Sequence, residues 1–387
     1  MNNLPADAGS APVVRWLVPF PIDGSGGHAT LFAHIRHMAN AGMICHVHVD
    51  MREPRSPLMR PAPVLERMRQ KLIHKSIHVH LGHEGITEPC TLAVATSCRN
   101  AYDVAASSLA GARAYFIQDF EPWFQPMGAG FLQAEASYRL GLVPVVLGKW
   151  LTRVVADLSP VAPYEVPFGV NTALYAPPSG GQARRQNAIC YLHQPEKPRR
   201  CTELAIQALR IVAQERPDIA IWSYGSNRKP SLPGQHFGVI SAAECARLYG
   251  GAAVGLCLSA SNPSRIGFEM AACGLPMVDL ARDNNCYDGL ADISLLGVAT
   301  PQYLAKAILH LLDASADRER RSLLGQTVMR TRDTQTELDA GLAAFHAILS
   351  GEAADCCMSG NHTSLCPDNA LTLKQRLARA FIAFHGF

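Results

Sequence analysis

The stretch FPIDGSGGHATLF places Gly24, Gly26, Gly27 and His28 between an apolar run and a helical pattern. Glycine lets a backbone come close to a ligand, and a helix start offers unpaired N–H groups to an anion. Gly26, Gly27 and His28 therefore read as a diphosphate contact, with His28 equally suited to a sugar. The spacing Gly24-x-Gly26-x-x-Ala29, with Asp50 about 20 residues on, also satisfies a dinucleotide fingerprint. Against that, Pro19, Pro21, Ile22 and Asp23 lengthen a connection that the fingerprint keeps tight.

A second group of chemically apt residues lies in SASNPSRIGFEMAACGLP, residues 259–276. A polar turn with Pro263 opens a helix near Ser264, and Glu269 falls in its second turn. Amides and dipole can hold a nucleotide diphosphate there while Glu269 accepts hydrogen bonds from both ribose hydroxyls. A third group, Gln118-Asp119-Phe120-Glu121-Pro122-Trp123-Phe124, follows a strand. Asp119 and Glu121 can orient or deprotonate an acceptor hydroxyl, and Trp123 and Phe124 can stack on a sugar face. The competing reading is a loop whose aromatics pack inward and whose acids cap a neighbouring helix. His46, His48, His78 and His80 alternate along strands and read as structural. No Asp-x-Asp pair or ligand-spaced His/Asp cluster is present, so metal-independent chemistry is expected. No Gly-x-Ser-x-Gly or P-loop supports a serine hydrolase or an NTPase.

These groups need strands and helices to position them, and the chain supplies both. Apolar runs alternate with helical stretches from Val13 onward, the pattern of an α/β protein with parallel sheets. Strands are expected at Val13–Phe20, Cys45–Val49, Ile77–Leu81, Leu92–Thr96, Ala114–Gln118, Pro144–Leu147 and Tyr164–Pro167. A second series runs from Ala188–Leu192 to Pro276–Leu280. Between them TALYAPPSGGQARRQN, residues 172–187, has the composition of a connection. The expected division is a Rossmann-like domain over 1–171, a second over 172–350, and a linker with a C-terminal amphipathic helix over 351–387. Two such doubly wound domains facing each other leave a cleft at the carboxyl ends of both sheets.

Length and composition exclude other classes. The 387 residues are 48 % hydrophobic and 17 % charged with a net charge of +3, neither disordered nor basic enough for a dedicated nucleic-acid binder. The 12 cysteines form no C-x-x-C pair and sit mostly in apolar runs, and the spacing of Cys356, Cys357 and Cys366 near His362 fits no zinc frame. With no leader-like start and no long apolar window, a cytoplasmic chain is expected. The Pro-rich, basic stretch 52–75 reads as a surface loop leading into a helix. Leu373, Leu377, Phe381 and Phe384 share one helical face, which either docks on the protein or makes a peripheral contact with the inner membrane.

The segment Glu269-Met-Ala-Ala-Cys-Gly-Leu-Pro276 resembles the E-x-M-A-x-G-x-P segment of GT-B glycosyltransferases of family 4. The GGH loop, YFIQDFEPWF, EVPFGVNTALY and SASNPSRIGFE are similar to its WsaF-like rhamnosyltransferase branch, over residues of about 13 to about 313. The resemblance implies retaining transfer of a sugar, rhamnose or another deoxyhexose, from a nucleoside diphosphate donor to a glycan or lipid-linked acceptor in surface polysaccharide synthesis. It implies no cofactor beyond the nucleotide-sugar substrate, and no nucleic-acid partner. Glu269 would hold the ribose, with Gly26 and Gly27 facing the diphosphate. Two positions depart from the family: Ser261 stands where a second Glu is frequent, and Gln194 where Arg is common. A departing diphosphate still needs cations, and Lys197, Arg199, Arg200 and Arg265 are the candidates, Arg200 first. Two rivals remain: a dinucleotide-dependent oxidoreductase using Gly24 to Ala29 with Asp50, and a non-catalytic sugar-nucleotide-binding protein of the same shape.

Overall fold

The computed structural model describes residues 11–22, 25–52, 61–82, 86–178 and 187–352. The chain forms two compact units. The first takes residues up to Leu147, Leu151–Val166, and the chain from Leu338 through the last described helix; the second takes Gly148–Trp150 and Pro167–Glu337.

The first unit contains β1 (Val13–Val18), α1 (Gly26–Asn40), β2 (Ile44–Val49), α2 (Pro61–Lys71), β3 (Ile77–Leu81), β4 (Cys90–Ala95), α3 (Cys98–Ala106), β5 (Ala110–Ile117), α4 (Ala129–Ala136), β6 (Val143–Leu147), most of α5 (Lys149–Leu158) and β7 (Tyr164–Val166). A 3-10 turn, Glu121–Phe124, precedes α4. The strands pair in the order β3-β2-β1-β4-β5-β6-β7, every pairing parallel. Parallel strands are covered on both faces, which is why VVRWLV and CTLAVA are nearly continuous apolar runs. β1 stops at Val18, short of the expected Phe20, because Pro19 has no N–H for the ladder. α1 begins at Gly26 because Ser25 caps it.

The second unit contains β8 (Ala188–Leu192), α6 (Thr202–Glu215), β9 (Ala220–Tyr224), β10 (Gln235–His236), α7 (Ala242–Gly251), β11 (Val254–Leu256), α8 (Arg265–Ala272), β12 (Met277–Leu280), α9 (Leu290–Ile293), β13 (Ser294–Gly297), α10 (Pro301–Asp313) and α11 (Ser315–Arg330). Its sheet is also parallel, in the order β10-β9-β8-β11-β12-β13. Ala205, Ala208, Leu209 and Val212 of α6 share one buried cluster with Leu304, Ile308 and Leu311 of α10.

The final described helix, α12 (Thr334–Ser350), begins in the second unit and continues in the first from Leu338. The expected boundary at 171/172 therefore moves to Val166, and residues 338–350 pass to the first unit. The reason is packing: Phe345 stacks edge-on to Trp16 at 5.3 Å, and a Cβ at Gly341 would come within 2.5 Å of the His34 ring. Gly341 thus lets α12 lie close against α1. The expected terminal helix, the Cys356, Cys357, Cys366 and His362 group, Gly24, and residues 179–186 of the connection lie outside the described residues.

The four strand histidines form a plate on β2 and β3. His46 pairs in register with His78 and His48 with His80. The His48 and His80 rings stack at 4.7 Å, and His46 Nδ1 lies 2.9 Å from His80 Nε2. Arg15 of β1 reaches His48 Nε2 at 3.2 Å and Glu88 at 2.6 Å. Burial first, then Arg15 and the neighbouring rings, pulls His46 down to about 4; burial, then His80 and Arg15, does the same to His48. Unfolded imidazoles take up protons near 6.5, before the folded ones do, so stability present at neutral pH is lost as pH falls from about 6.5 to about 4. The melting temperature should drop across that window, and His46→Asn should flatten the drop.

Candidate functional site

In a parallel sheet all strands end at one edge, and the crevice where the strand order reverses is where ligands bind. In the second unit that point lies between β8 and β11. The loop after β8 carries Lys197, Arg199 and Arg200, and the loop after β11 leads through Ser264 into α8. The two loops are tied together: Ala260 N–H donates to the Arg199 carbonyl at 3.0 Å, and Arg200 Nη1 donates to Ser259 Oγ at 3.1 Å. Arg200 ends a 3-10 turn that Cys201 closes at φ 48°, a left-handed conformation uncommon for a residue with a side chain. Burial, then the charges of Arg200 and Arg199, lowers the Lys197 ammonium below its ordinary value. Three cations crowd one strand end, and a bound anion would relieve their repulsion.

Ser264 is the N-cap residue of α8, yet its side chain makes no capping bond, and its buried Oγ has no hydrogen-bond partner. A buried hydroxyl left unused beside helix-terminal amides is a donor set suited to phosphate. Glu269 lies half-buried in the second turn of the same helix. Burial pushes its carboxyl up to about 7, against the pull of the Arg265 charge and the Tyr175 hydroxyl. After α8, Gly274 takes φ 66° and its N–H donates to the Ala271 carbonyl at 2.8 Å, ending the helix as Gly-Leu-Pro suggests.

Arg265, expected among the cations for a diphosphate, is paired inside the protein. Its guanidinium grips Glu337 through both nitrogens, Nη1 to Oε2 at 2.7 Å and Nη2 to Oε1 at 2.8 Å, and donates to the Gly169 carbonyl. Glu337 also accepts from Gly169 N–H at 2.7 Å. The bidentate pair holds the start of α8 and is a structural clamp.

In the first unit the strand order reverses between β1 and β4. Gly26 and Gly27 are the first residues of α1 and not a preceding turn, and neither has a positive φ. A Cβ at Gly26 would meet nothing within 4 Å, and one at Gly27 only ordinary contact with Gln118 at 3.6 Å. Neither glycine is demanded by its conformation or its neighbours. His28 Nε2 is buried with no partner, and burial lowers its pKa, against the pull of the Pro19 carbonyl. The ring is an acceptor at neutral pH.

Beyond β5, Asp119 is half-buried and its Oδ1 accepts from Phe120 N–H at 2.9 Å. Glu121 corrects the expectation of an acid/base role. Its Oε2 accepts from Cys98 N–H at the start of α3, at 2.9 Å, and its Oε1 from the Tyr115 hydroxyl at 2.8 Å. Both oxygens are committed, and burial raises its pKa. Trp123 and Phe124 are exposed. Among the described residues no three His, Cys, Asp or Glu side chains are placed to hold a metal ion.

Residues 187–309 match the family described as WsaF, C-terminal domain. The O-antigen biosynthesis protein RfbC of Myxococcus xanthus is 29 % identical over 255 residues, covering 61 % of this chain and 19 % of that protein. This chain thus spans about a fifth of the length of the curated relative it matches. Among solved structures, sucrose-phosphate synthase from Thermosynechococcus elongatus superposes with a TM-score of 0.63 at 12 % identity, over 88 % of this chain and 100 % of that one. HepE of Anabaena, in complex with UDP and glucose, gives 0.63 at 12 % identity over 86 % and 99 %. The fold is GT-B.

Within the second GT-B domain, sequence reasoning missed the group on which the crevice is built. Ser259 N–H donates to Asp279 Oδ1 at 2.9 Å, its Oγ donates to the Asn262 carbonyl at 2.8 Å, and its carbonyl accepts from Asn284 and Asn285, each at 3.1 Å. An acid inside the apolar run PMVDL was the available signal. Burial pushes Asp279 up to about 7, against Leu280 N–H, Ser259 N–H and the Arg200 charge. The folded state therefore prefers the protonated acid, so the contribution is full below about 3.8 and is lost as pH rises through about 7. Asp279→Asn keeps an acceptor for both amides and removes the ionisation. The variant should melt higher than the wild type at pH 8, with the difference shrinking towards pH 5.

Proposed function

We propose that the chain is a glycosyltransferase that moves a sugar, rhamnose or another deoxyhexose, from a nucleoside diphosphate donor to a glycan or lipid-linked acceptor in surface-polysaccharide synthesis. The observation that carries the reading is the crowded cationic turn Lys197–Arg200, tied at Ser259 and Ala260 to the loop that leads into α8, whose N-cap hydroxyl on Ser264 is unused and whose second turn carries Glu269. That set matches the three parts of a nucleotide-sugar: cations for the leaving diphosphate, amides and Ser264 for a phosphate oxygen, and a carboxylate for ribose hydroxyls. The M. xanthus relative's name places that protein in O-antigen biosynthesis, and HepE binds UDP and glucose on the same fold. The resemblance of the sequence to the WsaF-like rhamnosyltransferase branch supports a deoxyhexose such as rhamnose, and the family 4 resemblance supports retention of anomeric configuration.

In the reaction the anomeric carbon–oxygen bond to the diphosphate breaks and a bond to the acceptor oxygen forms. The acceptor hydroxyl loses its proton, and neutral His28 and Asp119 are the groups able to accept it. Lys197, Arg199 and Arg200 take the role that a divalent metal has elsewhere, stabilising charge as it builds on the leaving group. Trp123 and Phe124 offer ring faces to the acceptor. The oxidoreductase reading is weakened by Asp50. Its carboxylate accepts from Arg52 N, Nε and Nη2 at 2.8, 3.1 and 2.8 Å, so the acid that would take a dinucleotide ribose is already engaged.

A thermal-shift panel with dTDP, UDP, GDP, ADP and NAD tests the reading, since ligand at about 100 times its dissociation constant stabilises by roughly 2.7 kcal/mol. One nucleoside diphosphate should raise the melting temperature, and Glu269→Ala should remove that shift. Because Glu269 titrates near 7, affinity should rise between pH 6 and pH 8 as the carboxylate forms. Stabilisation by NAD alone would overturn the assignment, and binding without sugar transfer to a crude lipid-linked acceptor would leave a non-catalytic binder. Gly27→Ala should leave stability unchanged or raise it by about 0.5–1 kcal/mol while lowering the transfer rate, because the added methyl blocks only the ligand side.

A further inference from the structure

We propose that the histidine plate of the first unit holds a divalent d-block cation, clipped between His46 of β2 and His80 of β3. The strands read ICHVHV and IHVHL, and His-x-His on a strand puts both rings on one face. Parallel pairing in register, His46 with His78 and His48 with His80, gathers all four imidazoles on that face. His46 and His80 are diagonal neighbours, a separation that long side chains span. His46 Nδ1 and His80 Nε2 stand 2.9 Å apart. Two nitrogens bound cis to one metal at about 2.0–2.1 Å lie roughly 2.9–3.4 Å from each other, so the pair already has the spacing of a chelate. The two rings are within 14° of parallel at 5.1 Å, and His80 is exposed, so its ring has room to turn toward an ion beside the pair.

The charges select a cation over an anion. Burial first, then the Arg15 charge, lowers the pKa of both His46 and His80, so at neutral pH each ring offers a lone pair without first losing a proton. An anion would need charged rings. Arg15, the cation beside the plate, is committed, with Nη2 on Glu88 at 2.6 Å and Nη1 against His48 Nε2 at 3.2 Å. Neutral imidazoles suit Zn²⁺, Ni²⁺ and Cu²⁺, whereas Mg²⁺ and Ca²⁺ take oxygen ligands. Among the described residues no third His, Cys, Asp or Glu is placed to complete the set, so water fills the other positions and the ion exchanges. Its work is mechanical. β3 is the edge strand and pairs with β2 alone, and an ion shared by His46 and His80 staples the two. The proposal goes beyond the transfer reading and stands without it.

The test uses the untagged full chain, stripped with a chelator, dialysed and titrated with Zn²⁺ at about pH 7.5. The wild type should take up Zn²⁺ in equilibrium dialysis and melt at a higher temperature with it, because the ion binds the folded state. Ring resonances of His46 and His80 should move together during the titration. His80→Asn should bind at least about tenfold more weakly, since losing even a group that only supports a ligand costs about 10–100-fold. Its melting temperature without metal should match the wild type, the ring being exposed. His346→Asn, on the exposed side of α12, should bind as the wild type does. No uptake by the wild type, or resonance shifts confined to other histidines, would overturn the proposal. Equal uptake by His80→Asn would also overturn it and put the ion on thiols elsewhere. The nucleotide-induced shift, measured in chelator, reports on the transferase reading separately.

Discussion

Every polar group of Ser259 is used. Its amide is held by Asp279, its hydroxyl lies between the Asn262 carbonyl and Arg200, and its carbonyl takes two asparagine side chains. β11 has only three residues, so the strand ladder alone cannot fix the loop that follows it. A buried amide must be paired, and this network pairs it while setting the height of the Arg200 side chain and the entry to α8. The cationic turn, the helix start and Glu269 then share one frame because one residue fixes the end of the central strand.

The first unit solves a different problem. Its helix α1 starts on two glycines that no internal contact requires, at the N-terminal turn behind the Ser25 cap. The Trp16 cluster with Phe116 and Phe345 supplies apolar burial far from that edge. Rigidity in the middle of the sheet allows bare backbone at its rim.

The strands were legible because parallel sheets bury both faces and leave apolar runs that composition exposes directly. β10, two residues long, carried no such run, and β13, a four-residue strand within the short apolar stretch ISLLGVA, was not foreseen either. The candidate site was legible where its residues are close in sequence, as in the Lys197–Arg200 turn and the Ser264–Glu269 helix. It was misread where a side chain answers to a distant partner. Arg265 looked like a phosphate cation because Glu337 is 72 positions away, and Glu121 looked like a general base because the amide it accepts from is 23 positions before it. Single-sequence patterns encode local periodicity; they do not encode which long-range charge will arrive to neutralise a side chain. The same limit hid the boundary, since α12 looks like one element and serves two units.

The Arg265–Glu337 clamp also bears on how such a chain can be recombined. The WsaF match ends at 309, within α10, while the carboxylate that neutralises the first residue of α8 comes from α12. A module exchanged along the edges of the matched region would carry the arginine and leave its counter-ion behind. The packed unit in this part of the chain is therefore longer than the stretch that the WsaF match marks, and it extends to Glu337.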